Sequence, residues 1–530
     1  MNNRCVDTLK ELIEQSADRF GDKPAFRILE DDNYCEITYS QLQQDITAFG
    51  RFLAAQSLLN KHIALLGPTT YDWIVCFYGI ANHGSVAIPI DKELGPESII
   101  DLLVRSEADC LIFDAGQLEV AKYIASSPDC KIKLICMKEN DIFPFIRFAN
   151  IDSAEIIPEI APDSLAAIVF TSGTTGKSKG VMLTHRNFAH NTVASFRLNI
   201  MQEDTVTLAL LPIHHAFQLT CCIHLALFAG ATICIGQGIK GIMRDMQHFK
   251  PTLLIIVPMI AKGILKTMLR AIEKAGKGRK VERAFKLSRF LLKFGVDVRR
   301  KFFQELLAPL GGNLNTIVSG GAFLEPEIGR WFDNIGVDFY NGYGITECSP
   351  VVSCNNKRNK RYKSIGKPVD FCRIKIVAGE ILVKGSIVSQ GYYRDQATTA
   401  QSYSDGWFKT GDLGYLDADG YLYITGRKKN TIVLDNGENI SPEELEGLLY
   451  QCPLIKEALV YSKELKGNQI LAAKIHPDMD VAQDMDSIAD VIEMHIAKIN
   501  RSLPKYKQIQ DFSLQQYELS KTSTGKIKRD

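Results

Sequence analysis

Charge of one sign is the first thing the sequence lacks. Its 62 Lys and Arg stand against 61 Asp and Glu, a formal net charge of +1, so bulk electrostatics points neither to nucleic acid nor to an acidic partner. Paired cysteines are missing as well. None of the 13 cysteines lies three residues from another, which removes the zinc-ribbon and thioredoxin-type patterns. Odd in number and often set in apolar runs, as at Cys76, Cys234 and Cys372, they read as buried reduced thiols. The first ten residues carry Arg4, Asp7 and Lys10 and no signal-peptide apolar core. The longest apolar stretch, 219–236, is interrupted by His224 and Gly230; that predicts a helix followed by a core strand, not a membrane span. Repeats and low-complexity tracts are also absent. The expectation is a soluble, cytoplasmic protein.

What is present is a long chain with an ordinary core. Its 530 residues are 46% hydrophobic and 23% charged, enough for several packed domains. Short β-branched runs alternate with helical patterns at 62–66, 110–113, 165–170, 205–210, 231–235, 253–257 and 316–318. Those runs lack strict alternation, as expected of parallel strands covered by helices on both faces. Beyond residue 363 the texture turns to antiparallel strands with Gly-rich turns, at 379–384 and 420–425. Ser441, Pro442 and Glu444 then announce a helix start with a capping box. The predicted fold is α/β: a large N-terminal domain of parallel α/β sheets over 1–428, with a small β-subdomain at about 364–425, and a mobile C-terminal α+β domain over 429–530.

Four motifs carry chemistry. The first is Thr171-Ser172-Gly173-Thr174-Thr175-Gly176-Lys177-Ser178-Lys179-Gly180, directly after an apolar strand. Such a loop can turn backbone N–H groups and hydroxyls toward phosphate oxygens while lysine supplies charge. It is not a Walker loop, because Thr171 stands where that motif needs glycine. The second is Asn341-Gly342-Tyr343-Gly344-Ile345-Thr346-Glu347-Cys348. Here Glu347 offers a hard anionic oxygen suited to Mg2+, Thr346 a hydroxyl, and Tyr343 a flat ring for a base. The third comprises Asp412 in Lys409-Thr410-Gly411-Asp412 and the basic run Arg427-Lys428-Lys429; an aspartate can accept both hydroxyls of a ribose. The fourth is Lys526 in Ser523-Thr524-Gly525-Lys526, near the C-terminus.

In this order, and with Ile37-Thr38-Tyr39-Ser40-Gln41-Leu42 upstream, the four motifs resemble the adenylate-forming, AMP-binding superfamily. The resemblance is strongest to its long- and medium-chain fatty acyl-CoA ligases, through Leu211-Pro212-Ile213-His214-His215, Gly320-Gly321-Ala322 and the segment 385–393. It implies ATP and Mg2+ as cofactors, a fatty acid as substrate and CoA as acceptor, with an acyl carrier protein as the alternative acceptor. It further implies that Thr171 to Gly176 and Lys179 embrace the β- and γ-phosphates, and that Gly320, Gly321, Ala322, Asn341, Gly342, Tyr343 and Gly344 line the adenine pocket. By the same resemblance Thr346 and Lys526 reach the α-phosphate, Glu347 the Mg2+, Asp412 and Arg427 the ribose; His215 flanks the acyl pocket and Lys429 is the hinge. One departure is Ser178, where the family usually has proline. It removes no ligand.

A basic segment stands apart from these motifs. Residues 262–301 hold fourteen Lys or Arg against Glu273, Glu282 and Asp297, with Phe285, Leu287, Phe290, Leu291 and Leu292 interleaved. It reads either as a solvated helical face packed on the core or as peripheral contact with an anionic membrane or acidic carrier protein.

Overall fold

Strands built from unbroken apolar runs need cover on both faces, and the arrangement provides it. The computed structural model describes residues 4–30, 33–139, 142, 158–171, 178–434, 438–465, 468–478, 485–521 and 527–529. These pack as two units, one of 1–373 with 383–408, the other of 374–382 with 409–530. The boundary expected at 428/429 lies inside the second unit, and the segment 364–425 is shared between the two.

The first unit carries two large sheets. One runs in the order Lys133–Cys136, Cys110–Phe113, His62–Leu66, Val86–Ile90, Leu165–Thr171, Lys179–Thr184. The other has Thr232–Ile235, Val206–Leu208, Leu253–Ile256, Thr316–Ser319 and Asp338–Gly344 as its parallel centre. The edges differ from the all-parallel expectation: Pro24–Glu30 with Asn33–Thr38, Asp338–Gly344 with Val351–Cys354, and Leu165–Thr171 with Lys179–Thr184 all pair antiparallel. Each of these pairs joins its strands by a short connection, which only antiparallel geometry allows.

Helix His185–Arg197 opens on a complete capping box between Thr184 and Asn187. It has no solvated face for most of its length, and two of its asparagines are spent on the loops beside it. Asn187 Nδ2 donates to the carbonyls of Ser386 and Val388 at 2.8 and 3.0 Å, and Asn191 Nδ2 to those of Cys348 and Val351 at 3.1 and 2.8 Å. The apolar stretch 219–236 becomes a π-helix, Gln218–His224, a helical turn ending at left-handed Gly230, and strand Thr232–Ile235. His224 is buried and bonds the Tyr78 hydroxyl. Among the described residues no helix is long and apolar enough to cross a membrane. All 13 cysteines are free, and all but Cys5, Cys35 and Cys372 are buried.

In the second unit, Ile455–Leu465 pairs antiparallel with Asn468–Pro477, which pairs parallel with Ile509–Leu514. Helices Pro442–Leu449 and Met485–Ser502 cover this sheet through Leu445, Leu449, Ile488 and Ile492. The expected capping box at Ser441 does not form. Its hydroxyl lies 2.7 Å from the Thr425 carbonyl and 2.9 Å from Glu443 Oε2 instead, tying the helix start to strand Leu422–Arg427.

Glu446 gives this unit a pH response. Its buried carboxyl accepts from the Val460 N–H at 2.7 Å and from Arg529, yet burial outweighs both and pushes its pKa up to about 7. A carboxyl raised in the folded state stabilises below its ordinary range, and that contribution is lost as pH rises through about 7. The difference is about 3 kcal/mol at most. Protection of the 455–465 and 468–477 amides, taken relative to the unstructured-peptide exchange rate, should therefore fall from about pH 4.5 to about 7 and level off above, and Glu446→Gln should flatten the change. An unchanged pH dependence in the variant contradicts this.

Candidate active site

Thr171 ends one strand and Lys179 opens its antiparallel partner, with the two residues in register. The hairpin thus clamps the base of the Gly- and Thr-rich loop; Ser172, Gly173, Thr174, Thr175, Gly176 and Lys177 themselves lie outside the described residues. Lys179 Nζ sits 5.1 Å above the ring of Tyr392. That ring is brought there because 390–393 runs alongside Lys179–Thr184, with Tyr393 N–H donating to Gly180 and Met182 N–H to Gly391. Tyr392 in turn donates its hydroxyl to Glu347 Oε1 at 2.8 Å.

Lys179, Tyr392 and Glu347 therefore form one connected row. Burial first, and the neighbouring carboxylate second, hold the Tyr392 hydroxyl well above its ordinary pKa, so it stays a proton donor. Oε1 is committed to it, and Oε2 is the oxygen left for a cation. The turn beneath is rigid. The Glu347 carbonyl accepts from Ser389 N–H at 2.8 Å, the Ser349 carbonyl from Thr220 Oγ1 at 2.8 Å, and Ser349 Oγ donates to Ile387 at 2.9 Å.

Tyr392 has no role in the sequence-based expectations. Only its place beside Lys179 and Glu347 reveals one. Removing a hydrogen bond to a charged group costs about 1.5–3 kcal/mol, so Tyr392→Phe should raise the KM for MgATP about ten- to a hundredfold while leaving the melting temperature near wild type. An unchanged KM removes Tyr392 from the site.

Among the described residues no group of three His, Cys, Asp or Glu is placed to hold a metal. Glu347 fits a cation that arrives with most of its oxygen ligands already in place, as Mg2+ does on a nucleotide.

Beside this row lies a cavity. Gly320 and Gly321 follow strand Thr316–Ser319, Gly342, Tyr343 and Gly344 end strand Asp338–Gly344, and all five line it. It continues between helix His185–Arg197, through Ser195, and the strand residues Leu253 and Ile255, to Leu198, Ile200 and Met201. Among the described residues no charged side chain is in its wall. Glycine is required at one of these places: a Cβ on Gly344 would stand 2.3 Å from the Pro350 carbonyl oxygen. One on Gly320 would stand 3.1 Å from the Phe217 ring, a tight contact. Ala322 is exposed beside them, and Asn341 pairs with Ser319 in the sheet. Thr346 starts the short 3-10 turn that carries Glu347. His215 lies against His214, ring centroids 4.0 Å apart and planes tilted by 55°; it is not in the cavity wall, where Phe217, two positions on, joins Tyr343.

The second unit brings its own pair together. Asp412 and Arg427 face each other across a hairpin, and Arg427 Nε meets Asp412 Oδ1 at 2.7 Å. Thr410 Oγ1 accepts from the Asp412 N–H at 3.0 Å, while Glu380 binds Gly411 N–H and Lys428 at 3.1 and 2.8 Å. Asp412 is buried and Arg427 half-exposed, so the carboxylate is held in place. Lys429 is exposed in the turn that follows. Lys526 lies outside the described residues. Its flanks are tied down: Lys521 pairs with Glu457 and Glu518, and Arg529 with Glu446.

Comparison with known proteins identifies the family. The AMP-binding enzyme family matches residues 13–393, and the AMP-binding enzyme C-terminal domain matches 429–530. The chain is 29% identical to the long-chain-fatty-acid–CoA ligase FadD15 of Mycobacterium bovis, over 95% of this chain and 91% of that one. It is 26% identical to the chloroplastic long-chain-fatty-acid–[acyl-carrier-protein] ligase AEE15 of Arabidopsis thaliana, over 90% of this chain and 77% of that one. Among solved structures, the anthranilate CoA ligase AuaEII in complex with anthranoyl-AMP superposes with a TM-score of 0.79 at 20% identity, covering 98% and 95% of the two chains. The α/β fold is that of this group: the chain belongs to the AMP-binding enzyme family and is an adenylate-forming ligase.

Proposed function

We propose that this enzyme joins a medium- or long-chain fatty carboxylate to ATP, giving an acyl-adenylate and pyrophosphate, and then passes the acyl group to CoA with release of AMP. The observation that carries this reading is the cavity without a charged wall residue that begins among Gly320, Gly321, Tyr343 and Gly344. A site that leads from the adenine-pocket candidates into an apolar recess suits a substrate with one ionised end and a hydrocarbon tail.

Carboxylate and triphosphate repel, so the first task is neutralisation and in-line placement. In this reading Lys179 and the loop 171–176 hold the β- and γ-phosphates, and Glu347 takes the Mg2+ that ATP carries. Thr346 and Lys526 meet the α-phosphate, Asp412 and Arg427 the ribose, and Asn341 joins the cavity residues at the adenine. Charge on the α-phosphoryl group grows as the carboxylate attacks, and fixed cations then stabilise the transition state more than the ground state. The nucleophile is already ionised near neutral pH and needs no base. Domains 1–428 and 429–530, with Lys429 at the hinge and His215 beside the acyl pocket, belong to the same proposal. So does a cytoplasmic setting, which the 13 free thiols favour.

The test is pyrophosphate release from ATP, Mg2+ and a series of carboxylates, with and without CoA. Repeated turnover that requires CoA and peaks at a fatty chain length supports the reading. A single turnover that CoA does not extend, but an acyl carrier protein does, moves the acceptor to the carrier. No release with any fatty acid overturns it.

The cavity also predicts a specificity change. Ser195 is buried, lines the recess and has no hydrogen-bond partner for its hydroxyl, so Ser195→Leu loses no bond and adds bulk. The preferred chain should shorten by a few carbons, with kcat/KM for the longest acids falling about tenfold. An unshifted chain-length profile places the acyl chain elsewhere.

A further inference from the structure

The segment 262–301 forms helices Pro258–Lys274 and Gly278–Lys293, which pack on each other. The second helix carries two apolar stripes where a helix on a protein surface needs one. The inward stripe is Val281, Ala284, Phe285 and Ser288: the first three pack against the core and Ser288 is buried. Phe285 places its ring 4.9 Å from Phe303 and 6.3 Å from Trp331. That stripe accounts for the helix's attachment to the fold.

The outward stripe is Leu287, Phe290 and Phe294, at spacings of three and four residues. They are 49%, 56% and 70% exposed, and the two phenyl rings contact each other at 5.1 Å. Met259 and Leu269 of the first helix and nearby Phe302 add further exposed apolar surface. Arg279, Arg283, Lys286 and Lys293 are exposed on the same helix, within the stretch that holds fourteen cations against three acids. Nothing in the fold requires large apolar side chains to stand in water between cations.

We infer that this face docks on a bilayer containing anionic lipid. Two observations select a lipid surface over an acidic protein. A ring that is 70% exposed stands out from its helix and does not line a groove, so it is shaped to enter a soft medium, not to receive a partner's side chain. The cations sit beside the stripe on long stems, which lets them reach headgroup phosphates while the rings enter the acyl boundary.

The helix pair starts at the cavity. Helix Pro258–Lys274 follows Val257, which adjoins Gly321, and Lys262 bonds Glu325 at 2.7 Å. Helix Pro258–Lys274, on which the docking helix packs, spans about 25 Å from that start, so a bilayer on this face lies against the same helix pair that begins at the cavity and would bring an apolar substrate near it. That last point rests on the fatty-acid reading above; the docking itself does not.

The test is co-sedimentation of the full chain with vesicles of phosphatidylcholine alone, and with about one third phosphatidylglycerol added, at low and high salt. The expected result is binding to the anionic vesicles that weakens as salt rises. Phe290→Ser with Phe294→Ser, and separately Arg279→Glu with Arg283→Glu and Lys286→Glu, should each weaken it at least about tenfold at an unchanged melting temperature. Binding to neither vesicle, binding indifferent to salt and lipid charge, or wild-type binding by both variants overturns the proposal. So does an acidic carrier protein that the wild type retains and these variants release while no vesicle is bound. Failure to turn over fatty acids, with vesicle binding intact, overturns the fatty-acid reading alone.

Discussion

Glu347→Gln should leave a folded protein that adenylates about a hundred- to a thousandfold more slowly, equivalent to about 3–4 kcal/mol of transition-state stabilisation. The substitution keeps the size of the side chain and an oxygen able to accept from Tyr392, whose hydroxyl now meets Glu347 Oε1 at 2.8 Å. The turn is held by backbone bonds to Ser389 and by Asn191 on the Cys348 and Val351 carbonyls, none of which the change touches. What disappears is the negative charge offered to a nucleotide-bound cation. The Mg2+ concentration needed for half-maximal rate should rise with the loss of rate. The step that needs no triphosphate, transfer from a supplied acyl-adenylate, should be far less affected. Pyrophosphate release measured over a Mg2+ titration checks the first point. A variant with near-wild-type rate and Mg2+ dependence would move the cation to another residue.

A larger and more selective effect is expected at Lys526. Lys526→Ala should cut adenylation by about a thousandfold or more, since it removes a cation from the charge that builds on the α-phosphate. Thioester formation from a supplied acyl-adenylate should persist, because that step expels AMP and no longer needs the cation. In the proposed mechanism the small domain leaves its first configuration before the thiol enters, so the lysine is expected to serve only one half-reaction. The surroundings of the substitution make the result readable. Lys521 is paired with Glu457 and Glu518 on one side, Arg529 with Glu446 on the other, and the Lys528 N–H donates to Ser520. The tail therefore keeps its anchors when Lys526 is shortened. Equal loss of both half-reactions would show that the lysine supports the fold or both steps, and would end the division of labour.

Several features were legible before any fold was known, and they share a physical character. The Asn341–Glu347 run and the Asp412 turn each place their groups through local backbone geometry, so contiguous residues disclose them. The parallel core was legible for a related reason: strands covered on both faces are written as unbroken apolar runs, as at Cys110–Phe113. Ser441 shows where local reasoning stops. Its position marks the helix start, but its hydroxyl is taken by Thr425 and Glu443, a competition invisible to a rule about spacing within one helix.

The sequence by itself determined the family, because the motifs that mark it are each a property of neighbours in the chain. Tertiary structure alone decided that Tyr392, 45 positions from Glu347, completes its setting, and that Ser195, Leu253 and Gly342 share one recess. It also decided which apolar residues of Gly278–Lys293 face inward. Leu287 and Phe285 are equally apolar and two positions apart, and periodicity allows either to be core. The side on which Phe303 and Trp331 lie buries Phe285 and leaves Leu287 exposed, and that side is set by contacts between residues distant in the chain.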